Sequence, residues 1–234
     1  MSLSEIDSDY WVNFWNNSPI LQNENLHCQI GRTINKRPIC NDAWIKTVAY
    51  IMEIIKIDEE DVLIDICSGN GLLSIPFSQK CRIVNAVDIS EKLLSKIDIT
   101  RHTNIMPVVR DVRSLQIAEG TFSKAVMYFA LQHFTENETI LIFKSVHKWL
   151  RPNGLFFIGD IPDVEKLFDY FNTNDRRVAY FESLLSKKSI IGTWFSKEFL
   201  AYLSTYVGFK KFTIIDQPDY QFNSHYRFDV LLEK

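Results

Sequence analysis

Asp65 precedes two glycines in the pattern D-x-x-x-G-x-G, Asp65-Ile66-Cys67-Ser68-Gly69-Asn70-Gly71, and a carboxylate there limits what the turn can bind. Glycine adopts positive φ and, lacking Cβ, lets a ligand approach the backbone closely. The N–H groups that open the next helix then face that ligand. A dinucleotide loop would carry a third glycine where this chain has Ser74, and a carboxylate at its mouth would repel a pyrophosphate. Asp65 suits a cationic ligand instead. Further along, Asp88 closes a second β-type run, where a carboxylate accepts hydrogen bonds from both hydroxyls of a ribose. Its competing role is to cap the helix that follows, a role for which Ser90 is also placed.

These residues need a frame. Val62 to Ile66 is a short apolar run rich in β-branched residues, so the loop reads as strand, tight turn and helix, with Pro76 shortening the helix towards Gln79. Ahead of it the spacing predicts a helix from Asn41, capped by Asn41 or Asp42, with Ile45, Val48, Met52 and Ile55 along one face. Cys81 to Val87, Ile105 to Val109 and Ala125 to Phe129 read as further strands, with a helix over Glu91 to Thr100. Thr135-Glu136-Asn137-Glu138 is a T-x-x-E capping box for a helix through Leu150, which Arg151-Pro152-Asn153-Gly154 ends before a fifth strand, Leu155 to Gly159. Strands and helices alternating in this order call for a doubly wound sheet. Ser196 caps a helix from Lys197 to Tyr206 that Gly208 ends, and Phe212 to Ile215 with Tyr226 to Leu232 form a closing antiparallel pair. Near the start, Tyr10, Trp11, Phe14 and Trp15 share one side of a helix that either packs on the body or covers the site.

A chain of 234 residues, 46% hydrophobic, suits one α/β domain with a large core. Its net charge of −3, with no basic run beyond Lys187-Lys188 and Lys210-Lys211, disfavours nucleic acid as a partner. Cys28, Cys40, Cys67 and Cys81 form no C-x-x-C pair and read as buried free thiols of a reducing compartment. No apolar run is long enough to cross a bilayer, and Glu5, Asp7 and Asp9 stand where a signal peptide would be basic. A cytoplasmic protein without membrane partners is expected, a homodimer being compatible with it.

The glycine loop, the acidic ends of the second and third strands and the R-P-N-G turn resemble the motifs of the class I S-adenosylmethionine-dependent methyltransferases, small-molecule branch, over about residues 41 to 160. The resemblance implies a Rossmann-like, seven-stranded, mainly parallel sheet with its last strand antiparallel. It divides a single domain, 1–234, into an N-terminal cap or lid (1–40), a cofactor core (41–160), an acceptor-side insertion (163–195) and a closing helix with a strand pair (196–234). It implies S-adenosylmethionine as cofactor. Arg32 would meet the methionine carboxylate and Asp65 the amino end, with Cys67, Gly69, Asn70 and Gly71 lining the loop. Asp88 and Ile89 would hold the ribose, Asp111 and Val112 the adenine amino group and ring, and Phe129 follows the fourth strand. For Asp111, an ion pair with Arg110 or Arg113 is the plain alternative.

The implied reaction moves a methyl group from the sulfonium to a small-molecule acceptor, at oxygen. His133 is the first candidate base, since it follows the fourth strand and its ordinary pKa suits proton removal, and Asp160 is the second. His27, His102, His147 and His225 show no metal-ligand spacing, so no metal is expected. Two other readings remain: a non-catalytic S-adenosylmethionine binder that regulates a partner, and an NAD(P)-dependent oxidoreductase. Asp65, Ser74 and the missing Tyr-x-x-x-Lys pair count against the latter.

Overall fold

The computed structural model describes residues 8–34, 36–186 and 190–234. The Lys187-Lys188 pair and the acidic opening through Asp7 lie outside them, as do the side chains of Tyr10 and Trp11. Seven strands form one sheet: β1 Val62–Ile66, β2 Ile83–Asp88, β3 Ile105–Val109, β4 Phe122–Tyr128, β5 Leu150–Pro162, β6 Lys211–Asp216 and β7 Arg227–Glu233. Their order across the sheet is β3-β2-β1-β4-β5-β7-β6, with only β7 antiparallel to its neighbours. This is the expected architecture. The strand order reverses between β1 and β4, and in an open α/β sheet the crevice beyond the carboxyl ends of such strands is where ligands bind.

Period-two alternation sorts the core into two layers. Val62, Ile64 and Ile66 of β1 face a layer with Ala125, Met127, Phe156 and Ile158, covered by helices Glu136–Trp149 and Lys197–Val207. Leu63, Val84, Ala86, Val126 and Phe157 face the other, under the helix Asn41–Ile55 and Phe77. Burying each such aliphatic or aromatic side chain contributes about 1.5–3 kcal/mol. Asp65 takes an inward position of β1, between Ala86 and Val126 on the flanking strands.

Caps and turns follow the sequence where local chemistry decides. Thr135 and Glu138 form the capping box, Ser196 caps its helix through the N–H of Phe199, and Gly208 ends that helix at φ 102°. Elsewhere the structure corrects the reading. The Asn41 helix starts from Cys40, which makes no side-chain cap bond, and buries Trp44, Thr47, Val48, Ile51 and Ile55. Ile45 is 57% exposed, because the large indole of Trp44 claims the inward position one residue earlier. The helix after Ser90 stops at Leu94, since the Asp98 carboxylate accepts from the N–H groups of Thr100 and Arg101 and builds a turn instead. R-P-N-G falls within β5: Leu150 already pairs with Phe122, and the ladder resumes at Leu155 with Lys124, leaving the intervening residues bulged with Asn153 left-handed. Cys28 and Cys81 are buried, but Cys40 is exposed. Among the described residues no helix is long and apolar enough to cross a membrane, and no group of residues is arranged to hold a metal.

Candidate active site

The carboxyl ends of β1, β2, β3 and β4 open onto one cavity of about 110 Å³, and the sequence explains why each wall stands there. β1 breaks at Cys67, which takes a left-handed φ of 59°, and Gly69 and Gly71 follow at 57° and 82°. A Cβ on Gly71 would come within 2.7 Å of Ile97 Cγ1, so this position requires glycine for space as well as for φ. β4 likewise ends in a left-handed residue, Phe129 at φ 59°. At Gly159 on β5 a Cβ would lie 2.3 Å from the Tyr128 ring, so glycine there is what lets that ring lie across the sheet end.

Asp65 is 2% exposed and accepts the Ser74 hydroxyl at 2.6 Å. Burial pushes its pKa up to about 7, with the nearby Asp88 adding to the rise and Ser74 opposing it. Asp88 accepts from the N–H of Gly69 and of Ser90, both at 2.8 Å, and burial lifts it to about 6 against those bonds. Each of its oxygens keeps a lone pair for a ligand. Ser90 supplies the helix cap that competed with this role: its Oγ accepts from the N–H of Leu93. Asp111 does pair with Arg113, at 2.5 Å, and also caps the short turn that follows; despite burial, these bonds hold its pKa below the ordinary carboxylate value. Burial raises the Cys67 thiol well above its usual range.

The roof comes from the N-terminal segment. Trp15 lines the cavity and meets the His133 ring edge to face with centroids 6.1 Å apart, while its carbonyl accepts the Ser90 hydroxyl at 2.7 Å. Arg32 is buried. It is 4% exposed, its guanidinium carbon lies 4.7 Å, 4.8 Å and 5.2 Å from the ring centres of Trp44, Tyr128 and Phe129, and Nη1 reaches Asp160 Oδ2 at 3.4 Å. His133 sits in a one-turn helix, Leu131–His133, and burial, with Arg227 nearby, lowers its pKa to about 4.

The cavity thus gathers Arg32, Asp65, Cys67, Gly69, Asp88, Ile89, Asp111, Val112, Phe129 and His133. Three expected residues are absent from its lining. Asn70 turns away: its amide donates to the Leu26 carbonyl and to Gln29 Oε1, both at 2.9 Å, tying the loop to the N-terminal segment. Gly71 acts through the turn's shape alone. Asp160, second candidate base, stands behind Arg32, holding that residue and Arg227 Nε at 3.7 Å. The described residues of 163 to 195 contribute none of the lining either. Sequence reasoning passed over Trp44 and Tyr128, which only the fold brings against Arg32, and over Ser74, where the sequence showed only the lack of a third glycine.

The cavity fits an aminoacyl nucleoside with a cationic sulfur: carboxylates stand at three strand ends, aromatic faces lie opposite, and Ser68 Oγ is buried beside it without a hydrogen-bond partner among the described residues. Residues 63–154 match the model of a family described as a methyltransferase domain. A methyltransferase of Synechocystis sp. that has no assigned activity is 28% identical over 112 residues, 47% of this chain and 51% of that protein. The demethylmenaquinone methyltransferase of Chlamydia muridarum is 31% identical over 97 residues, 40% of this chain and 42% of that one. The chain spans about half the length of such curated relatives. Among solved structures, a Methanosarcina mazei protein described as an S-adenosylmethionine-dependent methyltransferase superposes with a TM-score of 0.61 at 17% identity, covering 79% of this chain and 96% of its own. Over residues 63–154 the chain thus resembles the methyltransferase-domain family, and it shares its fold with the Methanosarcina mazei S-adenosylmethionine-dependent methyltransferase.

Proposed function

We propose that this protein transfers a methyl group from S-adenosylmethionine to a small-molecule acceptor, at oxygen. The observation that carries the reading is the pairing of buried carboxylates with aromatic faces around one cavity. Asp65 would meet the ammonium of the methionine moiety, Arg32 its carboxylate, Asp88 the ribose hydroxyls and Asp111 with Val112 the adenine. When bound, the cofactor supplies a methyl group already activated by its positive sulfur. The remaining work of the protein is alignment and exclusion of water. Charge at sulfur is lost in the transition state, so carboxylates kept at the two ends of the ligand bind it without overstabilising the sulfonium. Trp15, on the cavity's lining, would cover the bound cofactor, the second of the two roles open to the N-terminal segment. His133, which burial brings to a pKa of about 4, is neutral at physiological pH but a weaker base than an ordinary histidine, so the pKa that first recommended it as a base is lost and its part would be to accept a hydrogen bond from the acceptor hydroxyl and orient it.

Calorimetric titration with S-adenosylhomocysteine and with NAD tests the cofactor. The homocysteine compound binds and NAD does not; the reverse would sink the reading. A methyl-release assay over carboxylic acids, phenols and amines then separates an enzyme from a regulatory binder, which would release none.

A further inference from the structure

Arg32 walls a second cavity as well. Beyond it lies a space of about 100 Å³ between the Ile34 to Thr47 segment and residues 220–223, with Ile34, Ile39, Ala43 and Phe222 as apolar walls. Asp160 also lines it, and two polar groups bordering it are donors without acceptors among the described residues: Arg32 Nε and Gln221 Nε2, on side chains 4% and 6% exposed. The Gln221 amide is oriented by its other end, since Oε1 accepts the Tyr128 hydroxyl at 3.1 Å. A buried donor left unpaired is costly, so two beside one cavity call for a ligand that accepts.

Charge narrows the choice. Arg32 and Arg227 converge on the single carboxylate of Asp160, on Oδ2 and Oδ1 respectively. The next acid, Asp229, accepts the N–H of Asp160 and the amide of Gln217 on Oδ1, while its Oδ2 has no hydrogen-bond partner among the described residues. Burial raises its pKa to about 7, which leaves the cluster with more positive than negative charge near neutrality.

We propose that the second cavity is a subsite for a carboxylate carried by the methyl acceptor, its oxygens taking hydrogen bonds from Arg32 Nε and Gln221 Nε2 and its hydrocarbon part lying against Ile34, Ile39 and Phe222. Calling the occupant an acceptor rests on the function proposed above; the carboxylate site itself does not. Because Arg32 walls both spaces, a compound anchored here lies one side chain from the cofactor cavity.

The test titrates the protein, saturated with S-adenosylhomocysteine, with hexanoate and with hexanamide. Hexanoate binds at least tenfold tighter than the amide, and it slows alkylation of Cys40, an exposed thiol on the cavity wall, by iodoacetamide. Gln221→Glu keeps the acceptor for Tyr128 and replaces the free donor with an oxygen; Ala43→Phe fills the space from the opposite side. Loss of tenfold or more in hexanoate affinity in either variant, with affinity for S-adenosylhomocysteine within twofold of wild type, supports the subsite. No hexanoate binding, equal binding of the amide, or unchanged affinity in both variants overturns it. Failure of the wild type to bind S-adenosylhomocysteine would instead count against the cofactor reading, and the same titrations without that ligand would still decide the carboxylate site.

Discussion

Ser74 donates its hydroxyl hydrogen to Asp65 Oδ2 across 2.6 Å, and both side chains are sealed from solvent. The bond partly compensates the ionised form of a carboxylate that burial otherwise keeps protonated. A ligand bearing an ammonium prefers that ionised form. Affinity for S-adenosylhomocysteine therefore rises with pH through about 7. Ser74→Ala moves the midpoint upward by roughly one unit, read by calorimetry between pH 6 and 9. A midpoint that stays put would remove Asp65 from the binding step.

The same shifts act on stability. Asp65 and Asp88 have folded-state pKa values raised to about 7 and about 6, so between the ordinary carboxylate range and those values the folded chain holds more protons than the unfolded one. Their contribution is full below the unfolded pKa and is lost as pH rises through 6 and 7. A cationic ligand reverses this by favouring the charged carboxylates. The rise in Tm produced by saturating S-adenosylhomocysteine should be larger at pH 8 than at pH 6; an equal rise would contradict the assignment.

Asp88→Ala removes a ribose acceptor and strands the N–H groups of Gly69 and Ser90. Affinity for S-adenosylhomocysteine falls tenfold or more, about 1.4 kcal/mol or above. Calorimetry showing an unchanged dissociation constant would refute the ribose role.

With its pKa lowered to about 4, His133 is neutral throughout the working range. The pH profile of kcat/KM should lack an inflection near the ordinary histidine value. His133→Gln lowers kcat if the imidazole orients the acceptor hydroxyl, and leaves cofactor affinity alone. Weaker cofactor binding with intact turnover would place the residue elsewhere.

Gly71→Ala meets two obstacles at once, a φ of 82° and Ile97 Cγ1 at 2.7 Å. Denaturant unfolding should show a loss of about 1–3 kcal/mol. A stability equal to wild type would mean the loop can shift without cost.

Most of the sheet was legible because β-branched runs and caps act locally: β1, the Thr135–Glu138 box and Gly208 sit as their chemistry dictates. The acidic strand ends were legible for the same reason. The buried polar cluster was not, because Arg32 and Arg227 are joined to Asp160 only by the fold, and nothing in their flanking residues marks them as buried. Helix α-periodicity placed Ile45 inward where Trp44 goes, an error of one residue that a larger side chain decides. Asn70 lies within the motif yet serves the N-terminal segment, a long-range tie with Leu26 and Gln29 that no local pattern encodes.

Cys67, Phe129 and Asp160 all hold left-handed backbone without being glycine, at the ends of β1 and β4 and within the last turns of β5. Such residues cost on the order of 1 kcal/mol each and persist because the surrounding sheet imposes them. Replacing them to harden the molecule against heat would relax the same strand ends that shape the ligand's entrance. Engineering for durability and engineering for turnover therefore compete at these three positions, and durability is better sought on the far side of the sheet.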